Sequence, residues 1–381
     1  MIAEGFSTLA VVLMSVNLVL STRAGFLERR LDGLDKLFVT HRLSGLSVAV
    51  LVSSHFALVP KSVGYVPSKP VAYTMLPLLL IAIFVASAPR FPWRRLVPLK
   101  YQTWKGLHRF QGLFVVAAVA HSLLAPSYTR QVPALASYVY GVAILGLAAW
   151  VYREALFASV GPFHTYSVRG ARSLTGDVLE VALAPRSAPL SRIAGQFVFV
   201  SFAEGPSSEQ HPFTVSNAPA SDLRLSIKAS GDFTDALARD LADDSVARIE
   251  GPYGAFDFRK GHRRQLWLAG GIGITPFLSM APALDAPREV TLVWSVRTLD
   301  EAVYADELSA LGQGPARLTV IVHPTSELGH LDIATLDATE RAADFSAFIC
   351  GPLPMRREFM RQLSALGVPR SQVFFEEFRL R

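Results

Sequence analysis

His41-Arg42-Leu43-Ser44-Gly45-Leu46 and His108-Arg109-Phe110-Gln111-Gly112-Leu113 are two copies of one pattern. Each lies in an apolar run approaching the roughly 20 residues that cross a bilayer, and each run holds a second histidine, His55 and His121. Ionisable residues in such runs are costly and mark function. A lone intramembrane histidine reads first as a hydrogen-bonding member of a bundle. Four of them, on two runs, at matched depths and within a repeated motif, read as metal ligands. At 1.5 Å per residue the two levels lie roughly 20 Å apart, so the histidines make two pairs and not one compact four-ligand site. Two haem irons, each between His41/His108 or His55/His121, satisfy that arrangement.

In both copies a glycine follows the histidine by four residues, on the same helical face. Its missing side chain leaves space for a flat macrocycle. In both, an arginine sits at the inner edge, where it suits a haem propionate. The interval of 14 from His41 to His55 keeps the two on one face, turning an ideal helix by about −40°. The interval of 13 from His108 to His121 leaves them about 140° apart. A π-bulge or tilt in that run is the predicted repair.

The rest of the chain divides around these runs. Its mean hydropathy is +0.33 with 51% hydrophobic residues, and the apolar excess lies in residues 1–158. Five apolar runs, near 5–22, 38–60, 71–88, 106–125 and 134–152, are the expected spans. The first has the wrong charge polarity for a signal peptide, since Arg23, Arg29, Arg30 and Lys36 follow it and no base precedes it. Residues 1–158 carry 15 Lys+Arg against 5 Asp+Glu, and residues 159–381 carry 22 against 26. The basic residues of the first part fall in loops between apolar runs, which argues for a lipid bilayer as partner rather than nucleic acid. The loops after the first and third runs are the basic ones, so the positive-inside rule places them in the cytosol. The expected topology is a multi-pass inner-membrane protein with its N-terminus outside and everything after the fifth run cytoplasmic. A single cysteine, Cys350, excludes an internal disulfide.

From about 160 to 258 the sequence alternates in short strands separated by Gly and Pro, as in Gln196-Phe197-Val198-Phe199-Val200, and predicts a small antiparallel barrel. Within it stands His211-Pro212-Phe213-Thr214-Val215-Ser216, where the Thr214 hydroxyl suits the edge of a flavin ring. Downstream, Lys228 and Gly231-Asp232-Phe233-Thr234 open a helical stretch whose backbone N–H groups suit a pyrophosphate. Either segment alone also reads as a plain strand or an N-capped helix; their order and separation favour the flavin.

From 265 onward strand and helix alternate, an α/β signature. Gln265-Leu266-Trp267-Leu268-Ala269 runs into Gly270-Gly271-Ile272-Gly273-Ile274-Thr275-Pro276. This is not the usual dinucleotide fingerprint, but Gly271 and Gly273 permit close backbone approach, and Thr275-Pro276 suits a first helical turn. Arg297, after the next strand, is either a 2′-phosphate ligand selecting NADPH over NADH or a solvated loop residue. Cys350-Gly351-Pro352 ends a later strand at the edge where doubly wound sheets bind ligands; a buried, inert thiol is the alternative. Phe378, near the C-terminus, either covers the flavin face or packs. The expected architecture is thus an α-helical transmembrane bundle of five spans (1–158), an antiparallel β-barrel FAD domain (159–259) and an α/β nucleotide-binding domain (260–381).

Together these segments resemble the ferric reductase and NADPH oxidase superfamily over nearly the whole chain. His211-Pro212-Phe213-Thr214, Gly251-Pro252-Tyr253-Gly254, the Gly270–Pro276 turn and Cys350-Gly351-Pro352 are similar to the family's FAD and NADPH motifs, in family order. His41/His55 and His108/His121 match its two-haem spacing. The resemblance implies a ferredoxin-reductase-like module, FAD, NADPH (NADH as the alternative donor) and two b-type haems. It implies catalytic positions at Thr214, Cys350 and Phe378. Five spans, against the family oxidases' usual six, are a departure. So is the outer level, where the polar residues near His55 and His121 are mainly Ser53, Ser54 and Ser122; that departure from the oxygen-reducing members speaks against superoxide production and leaves ferric iron or another acceptor open. Two imidazoles per iron leave no position for an acceptor to ligate. No required protein partner is evident: a periplasmic protein would need a larger docking surface than the short outer loops near 61–70 and 126–133. A low-turnover redox sensor is the other reading.

Overall fold

The computed structural model describes residues 2–60, 66–87, 101–175, 177–202, 210–285, 287–312, 317–336 and 345–376. They form two compact units, Met1–Gly161 and Pro162–Leu380.

The first unit is helical. Its elements are α1 (Ile2–Leu20), α2 (Gly25–Arg30), α3 (Leu34–Leu58), α4 (Ser68–Ser87), α5 (Tyr101–His108), α6 (Gly112–Leu124), α7 (Tyr128–Gln131), α8 (Pro133–Val151) and α9 (Phe157–Val160). Among the described residues, five helical stretches are long and apolar enough to cross a membrane: Ile2–Leu20, Leu34–Leu58, Ser68–Ser87, Thr103–Leu124 and Pro133–Val160. Their burial is inverted relative to a soluble bundle. Val11, Leu18, Val115, Val139 and Ala143 pack inside, while Val50, Ile81 and Ile144 point outward and are about 60% exposed or more. Small residues let the helices close. A Cβ on Gly146 of α8 would stand 2.7 Å from the Ser15 carbonyl oxygen of α1, so only glycine permits that approach.

The fourth long stretch is not regular. A 3₁₀ segment, Arg109–Gln111, joins α5 to α6. The π-type winding expected there is instead in the fifth stretch, at Tyr152–Leu156. The tight turn is the better repair. Three residues at about 120° instead of 100° add roughly 60° and narrow the 140° divergence of His108 and His121 to about 80°.

The second unit holds two sheets. The first, in the order β4-β3-β6-β1-β2-β5, is antiparallel. Its strands are β1 (Phe163–Thr175), β2 (Val178–Pro185), β3 (Phe197–Phe202), β4 (His211–Thr214), β5 (Leu223–Lys228) and β6 (Val246–Tyr253), with α10 (Asp232–Asp240) between β5 and β6. Tyr166, Val181, Val200, Leu225 and Ile249 fill its interior. The second is parallel, in the order β11-β10-β7-β8-β9. It comprises β7 (Arg264–Gly270), β8 (Glu289–Val296), β9 (Arg317–Pro324), β10 (Phe345–Cys350) and β11 (Val373–Glu376), with α11 (Thr275–Met280), α12 (Ala305–Leu311), α13 (Thr325–Leu328) and α14 (Leu353–Ala365). All six residues of β10 are buried, as a parallel strand covered on both faces requires. This half is a ferredoxin-reductase-like pairing of an FAD-type half-barrel and an α/β nucleotide domain.

Candidate functional site

The four helical histidines meet in the expected pairs. His41 of α3 faces His108 at the end of α5, with ring centroids 6.0 Å apart and planes at 77°. His55 of α3 faces His121 of α6 at 6.4 Å and 82°. Two imidazoles bound to one ion from opposite sides, with metal–nitrogen bonds of about 2 Å, place their centroids about 6 Å apart. At the second level, Nδ1 of His55 hydrogen-bonds the Ala3 carbonyl at 2.8 Å, and Nδ1 of His121 hydrogen-bonds the Ser68 carbonyl at 3.1 Å. Donation to a carbonyl puts the proton on Nδ1 and leaves the Nε2 lone pair for a metal. A cavity of about 330 Å³ opens beside this pair, lined among others by Val52, Leu76, Leu79, Phe114 and Ala118. At the first level His108 Nδ1 is buried without a hydrogen bond, and the Trp104 indole stacks on the His108 ring at 5.2 Å. The two imidazoles at each level would fit a metal ion held between them. No group of three or more His, Cys, Asp or Glu that could hold a metal ion occurs among the described residues.

Two expected details differ. The space above Gly112 is not vacant: a Cβ there would lie 2.2 Å from the Trp150 ring, and one on Gly45 would meet Asn17 Nδ2 at 3.4 Å. Both glycines admit neighbouring side chains. Arg109 is engaged by Glu154, so its guanidinium is already paired.

In the second unit the buried Thr214 hydroxyl has no hydrogen-bond partner among the described residues. A buried hydroxyl left unpaired is costly, and a flavin ring edge would satisfy it. His211 stacks on Phe233 with centroids 3.7 Å apart, and Phe213 lies 6.3 Å from the same ring. These three rings, with Pro212 in the strand, bring β4 against the first turn of α10. Gly231, at φ +146°, precedes that helix with open space at its Cβ position. Its carbonyl accepts from Thr234 Oγ1 at 3.0 Å, and Thr234 Oγ1 accepts from Ser230 N at 2.8 Å. Lys228 forms an ion pair with Asp177 at 2.9 Å, and that hydrogen bond holds the Asp177 carboxyl below its usual range. Ser216 Oγ donates to the Arg224 carbonyl and accepts from Ser226.

The glycine turn and the end of β10 converge. A Cβ on Gly273 would stand 2.2 Å from the Cys350 carbonyl oxygen, and one on Gly351 would stand 2.4 Å from Met355. Gly271 has φ +52° and open space beside it. Pro276 falls in the first turn of α11, and Thr275 Oγ1 donates to the Ile272 carbonyl at 3.1 Å. Burial, and then the Glu376 carboxylate, push the Cys350 thiol well above its ordinary range, so it is neutral. Pro352 caps α14. Arg297 is exposed at the end of β8. Phe374 stacks on Phe348 at 4.7 Å. Phe378 lies outside the described residues.

Sequence reasoning did not single out Arg192. It is buried, and its Nη2 donates to the Asn217 and Ala218 carbonyls at 3.0 and 2.6 Å. Desolvation lowers its pKa to about 10. Glu180, Arg224, Tyr304 and Glu307 were missed for the same reason. Their contacts join residues distant in sequence, and no local pattern announces them.

Two family models match the second unit: an FAD-binding domain over residues 164–257 and an oxidoreductase NAD-binding domain over residues 267–361. The reductase component of propane 2-monooxygenase from Rhodococcus jostii is 25% identical over 227 residues, 54% of this chain and 60% of that protein. Ferric reduction oxidase 8 of Arabidopsis thaliana is 29% identical over 137 residues, 31% of this chain and 19% of that protein. A flavohaemoglobin from Malassezia yamatoensis with bound FAD and haem shares the fold, with a TM-score of 0.54 at 21% identity, covering 99% of this chain and 95% of that one. The chain spans 60%, 53% and 66% of three curated relatives it matches. The second unit is therefore a ferredoxin-reductase-like module with an FAD-binding and an oxidoreductase NAD-binding domain, and the chain is consistent with membership of the ferric reductase and NADPH oxidase superfamily.

Proposed function

We propose that this chain is a transmembrane oxidoreductase moving electrons from cytosolic NADPH, through FAD and two b-type haems, to oxygen or ferric iron on the outer face of the inner membrane. The observation that supports this reading is the facing of two histidine pairs at 6.0 and 6.4 Å, in a five-helix unit continuous with an FAD- and NAD-binding module. His41 with His108, and His55 with His121, hold one iron each. The Ala3 and Ser68 carbonyls fix the rings of the second pair. Thr214 meets the flavin edge, and the backbone at Gly231 and the start of α10 takes the pyrophosphate. Gly271 and Gly273 give the dinucleotide close access to backbone, beside Cys350, Gly351 and Pro352. Arg297 takes the 2′-phosphate. Phe378 is kept as the aromatic covering the flavin. When bound, a flavin converts a two-electron hydride donor into the single-electron transfers that haem iron accepts.

The test is purification in detergent with haem and FAD supplied, followed by NADPH consumption in air and with a ferric chelate. A Soret band with acceptor-dependent, sustained turnover is expected, and superoxide dismutase sensitivity then separates oxygen from iron. Protein that takes up FAD but shows no Soret band after haem is supplied would overturn the haem assignment.

A further inference from the structure

The two sheets of the second unit are tied together by a buried polar chain. Ser216 lies two residues beyond Thr214, just past the end of β4. Ser226 Oγ has one hydrogen to share between Ser216 Oγ at 2.9 Å and the Tyr304 hydroxyl at 2.6 Å. That hydroxyl donates to Glu180 Oε2 at 3.1 Å. Tyr304 belongs to the nucleotide half, immediately before α12; Ser216, Ser226 and Glu180 belong to the flavin half. The Tyr304 ring stacks on Trp294 at 6.4 Å and 28°. Trp294 Nε1 donates to the Gly271 carbonyl at 2.9 Å. The contacts Ser216–Ser226–Tyr304 and Tyr304–Trp294–Gly271 thus link the segment that follows β4 to the glycine turn. Arg224 braces it, with both terminal nitrogens on the Glu307 carboxylate at 2.9 and 2.8 Å and one also on the Ser216 carbonyl at 2.7 Å. Burial pushes the Tyr304 phenol up, so the hydroxyl keeps its proton.

We propose that Tyr304 is a positioning residue for hydride transfer, setting the distance between the strand that presents the flavin and the turn that presents the nicotinamide dinucleotide. Its leverage comes from geometry: the donor and acceptor atoms react only when about 3–3.5 Å apart, and an error near 1 Å costs on the order of a hundredfold. The proposal rests on the flavin and dinucleotide assignment and is independent of the haems.

The experiment uses the full chain loaded with FAD and follows flavin bleaching by NADPH in single turnover. Tyr304→Phe retains the ring and its stacking and removes the hub. The limiting reduction rate should fall about tenfold or more, while the dinucleotide concentration for half-maximal rate stays within about threefold. Ser226→Ala, which leaves Tyr304 in place, should reproduce a smaller part of the loss. The double variant should be no slower than Tyr304→Phe, because both act on one chain. A limiting rate unchanged in both single variants, or losses that multiply in the double variant, overturns the proposal. If Tyr304→Phe fails to take up flavin, Ser226→Ala alone decides by the same rate. Wild-type protein that takes up no flavin would instead refute the underlying flavin assignment.

Discussion

The indole of Trp150 fills the space above Gly112: a Cβ on that glycine would lie 2.2 Å from the ring. From there Trp150 Nε1 donates to the Arg109 carbonyl at 2.7 Å, within the 3₁₀ segment that re-aims His108. One residue without a side chain thus admits the group that holds the tight turn. Gly112→Ala should overpack this contact and destabilise the helical unit by about 1–3 kcal/mol, with lower haem retention at the His41/His108 level. Gly141→Ala, with nothing near its Cβ position, should be close to neutral. Thermal unfolding and haem content in detergent read both.

Removing one imidazole of the second pair tests the ligand assignment. His55→Ala should bring the haem-to-protein ratio from two to about one and leave flavin reduction by NADPH at its wild-type rate. A pyridine haemochrome assay and flavin bleaching measure the two. An unaltered haem ratio would mean His55 binds no iron.

Dinucleotide choice is assigned to Arg297. Its exposed position at the end of β8 allows a charge-assisted contact with a 2′-phosphate. Arg297→Ala should lower the NADPH-over-NADH preference in kcat/KM by about tenfold, a loss of roughly 1.4 kcal/mol, chiefly through the KM for NADPH. Equal preference ratios before and after would remove the residue from the site.

Cys350 offers a pH test. Its folded pKa is raised by burial, so the folded chain keeps the thiol proton where the unfolded chain loses it. This contribution is fully retained below the free thiol's ordinary pKa, near 8.5, and stability declines as pH rises beyond that value. Cys350→Ala should flatten the alkaline limb of stability against pH, alongside the cost of the lost packing. Iodoacetamide should label native protein slowly at pH 8 and rapidly after denaturation. Fast labelling of the native state would contradict the buried, neutral thiol.

The five apolar stretches and both histidine pairs were legible because lipid-length hydrophobicity and ligand spacing are one-dimensional signals. The strand alternation before residue 258 and the strand–helix alternation after 265 were legible for the same reason. The winding of the fourth stretch was not. Its mismatch could be seen, but the sign of the repair depends on Trp150, some forty residues along the chain and reached only through tertiary packing. Gly45 and Gly112 were read as space for a macrocycle because a glycine reports a vacancy and not its occupant. Ser216 was grouped with the flavin because it follows Thr214, whereas its partners Ser226 and Tyr304 come from another strand and another sheet.

The rings of His55 and His121 are held by the carbonyls of Ala3 and Ser68, which are main-chain atoms. Point substitution at positions 3 and 68 alters the side chains and leaves those acceptors where they are. Drift at these two positions is therefore neutral toward ligand orientation, and neither leaves a recognisable mark in an alignment. What does disturb them is a change of helix phase: a residue gained or lost in the first turn of α1 or α4 rotates the acceptor by about 100°. Segment length thus sets where these acceptors meet the two rings.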